Sequence, residues 1–211
     1  MSDIKLWGFD GSTYVRTVKM LLAEKGMSDY EQVPLNVLQG DPRQPEHLAR
    51  HPFGKVPVLD HAGLRLLETT AIIRYLDDVL PGPTLVPATP QDRARMDMAI
   101  GITDAYGYGS LALGVAGFYL FPELVGGQDD AARRSGIENG RKVLEFLMRQ
   151  RGDDDFIACG LSLAELFIAP ILAYVALTPD AAAVFDVPGF APWWDRVQVL
   201  PSFKSTAPNL G

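Results

Sequence analysis

Residues 52–70 decide the fold, and they read PFGKVPVLDHAGLRLLETT. An apolar strand from Val56 to Leu59 contains Pro57, which lacks a backbone N–H and so cannot pair fully on both sides. The strand therefore has a pairing vacancy at this point. If the Val56–Pro57 bond is cis, the bend turns the Val56 amide and carbonyl outward, where they can pair with an extended, peptide-like ligand.

A hairpin and a helix follow this strand. The chain turns through residues 60–63 and returns as a second strand over residues 64–67. Residues 68–70 then open a helix over residues 71–79, whose first N–H groups and positive dipole end suit a carboxylate. A backbone ladder at Val56 and an anion site at Thr69 together suit a small peptide with a free carboxylate. Each part alone also fits a plain edge strand or an ordinary helix cap.

The charge balance and the apolar segments exclude several classes of partner. The 211 residues carry a net charge of −7, which disfavours binding to nucleic acid or to an anionic membrane surface. The most apolar run, residues 111–121, is far shorter than the ~20 residues that cross a bilayer. Residues 1–10 contain no apolar segment of signal-peptide length. We therefore expect a cytoplasmic protein without a membrane or nucleic-acid partner.

The sequence offers little for metal or redox chemistry. A single cysteine, Cys159, excludes an intramolecular disulfide, and its position beside a helix cap predicts an inert, buried thiol. The three histidines, His47, His51 and His61, do not have metal-ligand spacing, so we expect no metal.

Two domains are predicted. Residues 1–80 read as strand, helix, strand, short helix, hairpin and helix, an α/β unit of a size that folds alone. Residues 81–90, PGPTLVPATP, contain four prolines and form a linker. Residues 91–211 are predicted to be all-helical, with helices over about 91–121, 129–151, 163–177 and 190–199 and a surface tail from residue 201. Ser162 and Glu165 have the spacing of a capping box at the start of the third of these helices.

Four stretches together resemble the cytosolic glutathione transferases: KLWGFDGSTYVRTVKMLLAEKG from residue 5, HLARHPFGKVPVL from residue 47, LLETTAIIRYLDD from residue 66 and GLSLAELFIAPIL from residue 160. The N-terminal part is most similar to serine-type members of the phi and related bacterial classes. The resemblance covers nearly the whole chain but is only architectural over residues 91–159. It implies a thioredoxin-like N-terminal domain that binds glutathione as co-substrate, an all-helical C-terminal domain that lines an electrophile pocket, and a homodimer.

The resemblance places Ser12 where serine-type members keep the hydroxyl that hydrogen-bonds the glutathione sulfur. Chemistry supports this assignment independently, because a serine at a helix N-terminus presents an O–H donor beside several backbone donors and so favours a thiolate. Ser12 can also be no more than the cap of its helix, and Thr13 is the nearest rival for the catalytic role.

The resemblance implies further glutathione contacts at Arg43, Gln44, Lys55, Val56, Pro57, Glu68 and Thr69. Val56 with Pro57 would pair with the cysteinyl backbone, whereas Glu68 with Thr69 would hold the γ-glutamyl end. The basic side chains could meet the glycyl carboxylate, or they could be ordinary surface charges. Two residues depart from the family pattern, because Asp10 stands where a proline is common and Thr69 replaces a serine.

The resemblance also implies an electrophile pocket and a contact between the two subunits of a dimer. Residues 101–121, GITDAYGYGSLALGVAGFYLF, contain five glycines, which indicate either a groove lined by aromatic rings or close packing between helices. The residues expected around such a pocket are Phe9, Tyr14, Tyr106, Tyr108, Phe118 and Tyr119. Phe53 lies where several family members insert an aromatic ring into the partner subunit, although it can instead pack within its own domain.

The predicted function is that of a glutathione S-transferase with a role in detoxification. The enzyme would bind glutathione, stabilise its thiolate through Ser12, and direct it at a small hydrophobic electrophile. Two alternatives remain: a glutathione-dependent isomerase, dehalogenase or peroxidase on the same fold, and a binding or regulatory protein that keeps the fold without turnover.

Overall fold

The computed structural model describes residues 3–208, which form two compact units. The first unit comprises residues 3–84 together with residues 201–208, and the second comprises residues 85–200. No helix within the described part of the chain is both long and apolar enough to cross a membrane.

A four-stranded sheet forms the centre of the first unit. Its strands are β1 (Ile4–Trp7), β2 (Glu31–Val33), β3 (Val58–His61) and β4 (Leu64–Leu66), in the order β2-β1-β3-β4. Strand β1 runs parallel to β2 and antiparallel to β3, which in turn runs antiparallel to β4. The helices are α1 (Thr13–Glu24), α2 (Pro45–Leu48) and α3 (Thr69–Val79), with a short 3₁₀ turn over Asp41–Arg43. This mixed sheet with its helices is the expected thioredoxin-like fold.

The predicted hairpin is confirmed, with small changes at its ends. Ala62 and Gly63 have φ values of 50° and 77°, as a tight two-residue turn between antiparallel strands requires. Strand β3 begins at Val58 and not at Val56, because the sheet pairing starts at Val58, opposite Trp7. Val56 and Pro57 therefore precede the ladder, and the peptide bond between them is cis.

A buried ion pair joins the C-terminal ends of α1 and α3. Lys25 Nζ lies 2.7 Å from Asp77 Oδ1, and each side chain is only 1% exposed. The ammonium also donates to the Asp77 carbonyl at 2.8 Å, while the Thr84 hydroxyl donates to Asp77 Oδ2 at 2.9 Å. The pair thus fixes both helices and the proline-rich segment that follows them.

The second unit is all-helical. Helix α4 (Pro90–Ile102) continues through a wide π-helical stretch, Thr103–Ala116, into α5 (Gly117–Leu120). A 3₁₀ turn over Pro122–Val125 follows, and then α6 (Asp130–Arg151), α7 (Leu163–Val175), α8 (Ala181–Phe185) and α9 (Phe190–Val199). The four predicted helices are confirmed, whereas the short α8 was not predicted.

The glycines of residues 101–121 mainly serve helix packing. A Cβ on Gly114 would lie 3.1 Å from Gly136 Cα, and a Cβ on Gly136 would lie 2.7 Å from the Ser110 carbonyl oxygen. The π-helical stretch and α6 therefore approach at backbone distance, which only small residues permit. Gly101 and Gly109 are different, since no atom of the described residues lies within 4 Å of the position that a Cβ would take. Of the five glycines, only Gly101 and Gly109 are therefore consistent with the open groove that was the alternative to helix packing.

The predicted capping box at the start of α7 is confirmed. Glu165 Oε2 accepts from the Ser162 N–H and hydroxyl at 3.1 and 2.8 Å, while Oε1 accepts from the Ile157 N–H at 2.7 Å. Burial raises the pKa of Glu165, although these donors oppose the rise. The neighbouring Cys159 corrects our expectation, because it is exposed at a tight turn with a φ of 74° and is not a buried thiol.

The segment after α9 also differs from expectation. Helix α10 (Pro201–Ser205) packs on α1 and belongs to the first unit, so residues 201–208 are not part of the helical domain. The reason lies in Arg16, whose buried guanidinium donates to the Phe203 carbonyl at 2.8 Å and stacks on the Phe203 ring at 4.4 Å. Thr206 Oγ1 accepts a further bond at 3.5 Å.

Replacing Lys25 by methionine tests the buried ion pair. We expect a loss of about 3–5 kcal/mol in the free energy of unfolding, because the buried Asp77 carboxyl loses its cation. Lys5→Met is the control, since the Lys5–Glu31 pair is 39% and 61% exposed and should be worth less than about 1 kcal/mol. Urea titration of both variants measures the difference. Equal losses of unfolding free energy in the two variants would contradict the stabilising role of the buried Lys25–Asp77 pair.

Candidate active site

Ser12 caps the N-terminus of α1 and keeps its hydroxyl proton available. Its Oγ accepts from the Val15 N–H at 3.3 Å, and its own N–H donates to the Phe9 carbonyl at 3.0 Å. A hydroxyl can donate as well as accept, and the Ser12 O–H has no acceptor among residues 3–208. Thr13 is only 7% exposed, whereas Ser12 is half-buried, so Ser12 is the more accessible of the two rivals.

The loop before Ser12 is held by packing and by charge. A Cβ on Gly11 would lie 2.4 Å from the Phe9 ring, so the ring packs directly against the backbone of Gly11. Asp10 pairs with Lys19 at 2.5 Å and accepts from Gln32 at 3.3 Å. The hydrogen bond from Lys19 lowers the pKa of Asp10. The departure from the family pattern at Asp10 therefore brings its own anchor to the loop.

Two turns that carry predicted contact residues meet at Gly54. Gly54 has a φ of 59°, and a Cβ there would lie 2.7 Å from the Pro42 carbonyl oxygen and 3.2 Å from Arg43 Cδ. This close approach brings the turn containing Arg43 against the segment that begins with Lys55. The side chains of Arg43, Gln44 and Lys55 are all exposed, and neither basic group forms an ion pair within residues 3–208.

The backbone of Val56 keeps the predicted vacancy. Val56 precedes β3, and neither its N–H nor its carbonyl has a hydrogen-bond partner among the described residues. An unpaired backbone donor and acceptor on one residue can pair with an extended peptide. Pro57, which follows, is buried.

Glu68 has an unusual backbone conformation at the start of α3. Its φ of 67° and ψ of 117° lie outside the regions that L-residues favour, and such conformations cost about 1–3 kcal/mol and cluster at functional sites. The Glu68 side chain is exposed and does not cap the helix. Thr69, buried, is the first residue of α3. No local sequence pattern predicts this conformation or the contact at Gly54.

The predicted pocket residues of the helical unit do not form one wall. Tyr106 is 65% exposed, while Tyr108 is half-buried and its pKa is raised by burial. Phe118 and Tyr119 lie about three helical turns further along and contact each other at 4.9 Å between ring centroids. In the first unit, Tyr14 is half-buried, as is Phe9.

Tyr119 belongs to a polar network within the helical unit. Its hydroxyl donates to Asp180 Oδ2 at 3.1 Å, and Arg133 reaches both Asp180 oxygens at 2.7 and 2.8 Å. Arg133 also stacks over the Phe118 ring at 5.4 Å. These contacts favour a packing role for Phe118 and Tyr119, and they leave Tyr106 and Tyr108 as the better candidates for an electrophile pocket.

Among residues 3–208, Phe53 is the most exposed of the large apolar side chains, at 68%. Its ring packs edge-to-face on His51, at 6.1 Å between centroids. Within residues 3–208, no three potential metal ligands cluster.

Comparison with known proteins gives a consistent picture. A sequence model described as "Glutathione S-transferase, N-terminal domain" matches residues 2–78. The chain is 31% identical to glutathione S-transferase 4 of Zea mays over 211 aligned positions, gaps included, and the alignment covers 97% of this chain and 92% of that protein.

Solved structures agree with the sequence relatives. Glutathione transferase F7 from Populus trichocarpa superposes with a TM-score of 0.86 at 28% identity, covering 96% of this chain and 97% of that one. The maize glutathione S-transferase I in complex with an atrazine glutathione conjugate superposes with a TM-score of 0.83 at 29% identity, covering 97% of this chain and 96% of that one. This chain therefore belongs to the glutathione S-transferase family.

Proposed function

We propose that this protein is a glutathione transferase that uses Ser12 to stabilise the thiolate of bound glutathione. The observation that carries the proposal is the Ser12 hydroxyl, which lies at the N-terminus of α1 and whose proton has no acceptor within residues 3–208. A hydrogen bond to a charged group is worth about 1.5–3 kcal/mol, and a helix N-terminus adds about 0.3–1 kcal/mol. Together they reach the ~2.7 kcal/mol that lowers a thiol pKa from about 8.5 to about 6.5.

Each end of glutathione has a complementary group in the proposal. The Val56 N–H and carbonyl pair with the cysteinyl backbone, since both are unpaired within residues 3–208. The exposed Glu68 carboxylate suits the γ-glutamyl ammonium, and the first N–H groups of α3 at Thr69 suit the adjacent carboxylate. Arg43, Gln44 and Lys55 surround the glycyl carboxylate.

The reaction we propose is attack by the glutathione sulfur on an electrophilic centre of a small hydrophobic compound. A bond forms between sulfur and the electrophilic centre. In a substitution, the bond to the leaving group breaks and its electron pair departs with that group. In an addition, a π bond of the electrophile breaks and its electron pair moves to the other atom of that bond. In the helical unit, Tyr106 and Tyr108 are the proposed pocket residues. The structure of the maize relative holds an atrazine conjugate of glutathione, which supports this class of second substrate.

A homodimer is part of the proposal. Phe53 is 68% exposed, and a large exposed aromatic ring beside a turn suits insertion into a second copy of this chain. Met98 and Leu113 are further exposed apolar side chains, about four turns apart along one continuous helix. Exposed apolar side chains of this kind fit burial against a partner subunit.

We further propose a cytoplasmic location and a role in detoxification. The lone Cys159 cannot form a disulfide within the chain, as is usual in a reducing compartment. Conjugation to glutathione makes apolar electrophiles polar and unreactive, which is the chemistry that detoxification needs.

Ser12→Ala tests the proposed mechanism. We expect the variant to bind glutathione but to lose the lowered thiol pKa, so that its turnover at neutral pH falls by more than about tenfold. The measurement is a pH titration of the ultraviolet thiolate absorbance of bound glutathione. Loss of the helix cap also costs about 1 kcal/mol, so the titration is run well below the unfolding temperature.

Thr13→Ala is the control for this experiment, and it should keep the lowered pKa. A parent protein that binds glutathione without any lowering of the thiol pKa would remove Ser12 from the mechanism. The protein would then be a glutathione-binding member of the family without turnover.

Gly54→Ala tests whether the contact between the two turns matters for binding. The new Cβ would meet the Pro42 carbonyl oxygen at 2.7 Å, so the Lys55–Val56 segment must move. We expect the Kd for glutathione, measured by calorimetry, to rise about fivefold or more. Gly63→Ala is the matched control, because Gly63 has a similar φ of 77° but open space around it. Equal Kd values for the two variants would contradict the role of Gly54.

Phe53→Ser tests the proposed dimer. We expect the variant to sediment as a monomer at concentrations where the parent sediments as a dimer, because a central aromatic anchor typically contributes at least about 2 kcal/mol to an interface. Leu177→Ser is the control, since Leu177 is similarly exposed at 60% and lies in no proposed contact. A monomeric parent would overturn the dimer proposal.

A further inference from the structure

His47 makes a hydrogen bond that the sequence did not suggest. Its ring is 1% exposed, and Nε2 lies 2.8 Å from the Lys55 carbonyl oxygen. A carbonyl can only accept, so Nε2 must carry the proton in this contact. Nδ1, the other ring nitrogen, is buried and has no partner among the described residues. The geometry therefore assigns His47 as the Nε2–H tautomer.

The bond reaches the peptide unit that carries the vacancy at Val56. The Lys55 carbonyl and the Val56 N–H belong to one planar peptide group, so a bond that fixes the carbonyl also fixes the direction of the N–H. A donor on the carbonyl also polarises the peptide group and strengthens its N–H as a hydrogen-bond donor. His47 therefore bonds to the carbonyl at one edge of the peptide group and so sets the direction of the Val56 N–H at its other edge.

The ring of His47 is itself held in place. The backbone N–H of His47 donates to the Gln44 carbonyl at 3.0 Å, and the backbone carbonyl of His47 accepts from the His51 N–H at 2.8 Å. The two imidazoles stack at 6.2 Å with an interplanar angle of 26°. His51 Nδ1 in turn accepts from the Phe53 N–H at 3.3 Å, and burial lowers the pKa of His51. A buried, stacked pair of rings therefore supports the contact to Lys55.

We propose that His47 is a positioning residue for glutathione, whose Nε2–H holds the Lys55–Val56 peptide plane in the orientation that pairs the Val56 N–H with the ligand backbone. The inference rests on the proposed function, because it needs glutathione to bind at Val56. It differs from a role in packing alone, since it requires a proton donor at the position of Nε2.

The test compares His47→Leu, which removes the donor, with His47→Gln, which keeps an N–H near the position of Nε2. For His47→Leu we expect the Kd and KM for glutathione to rise about tenfold, the factor that one well-placed hydrogen bond is worth. With chlorodinitrobenzene as the second substrate, kcat and the pKa of the bound thiol should stay at the parent values, because Ser12 is untouched. His47→Gln should bind within about threefold of the parent.

His61→Leu is the matched control, since this half-buried histidine of the same unit bonds Tyr75 at 3.0 Å and lies in the β3–β4 hairpin. It should leave the Kd for glutathione unchanged. Parent-like affinity in His47→Leu would overturn the inference, and so would equal weakening by leucine and glutamine. A parent that does not bind glutathione at all would overturn the proposed function and this inference together.

A measurement on the parent protein decides the matter if the leucine variant does not fold. Long-range proton–nitrogen NMR of the histidine rings reports the tautomer directly. The Nε2–H form of His47, in free and glutathione-bound protein, is the expected result. An Nδ1–H tautomer cannot donate to the Lys55 carbonyl and would overturn the inference.

Discussion

Unused hydrogen-bonding capacity of the backbone is the constraint on which the site depends. A buried N–H or carbonyl without a partner costs about 1–3 kcal/mol, so a fold normally leaves few of them. In the part of the first unit that the structure describes, both backbone groups of Val56 are unpaired, and the N-termini of α1 and α3 are also presented. A ligand that completes these bonds gains affinity from an arrangement that already exists in the free protein. The sheet and its helices serve to hold that arrangement still.

Steric constraints at a few backbone positions hold these groups of the site in place. Gly11 allows the Phe9 ring to pack against the loop before Ser12, and Gly54 allows two turns to meet at carbonyl distance. Glu68 adopts a left-handed φ without being glycine, which the surrounding structure must enforce. The site is therefore assembled from close backbone approaches, with the charged side chains at its outer surface.

Local signals in the sequence were sufficient for the hairpin, the cap at Ser12 and the capping box of α7, because each depends on residues a few positions apart. The prediction failed where contacts link distant residues. The docking of α10 depends on the contact between Arg16 and Phe203, which no local sequence pattern predicts. Cys159 is exposed and has a φ of 74°, and no local pattern in the sequence predicts either property. The glycines of residues 101–121 were ambiguous because helix packing and an open groove both require a missing side chain.

The docking of α10 on α1 affects the order in which the protein can be completed during synthesis. Arg16 lies one turn after Ser12, and its guanidinium bonds to Phe203 and Thr206, which the ribosome adds only after the entire helical unit. Domains usually fold from the N-terminus as they emerge. Here the first unit reaches its final packing only after the second has been translated, so a nascent chain carries its unfinished α1 through most of elongation.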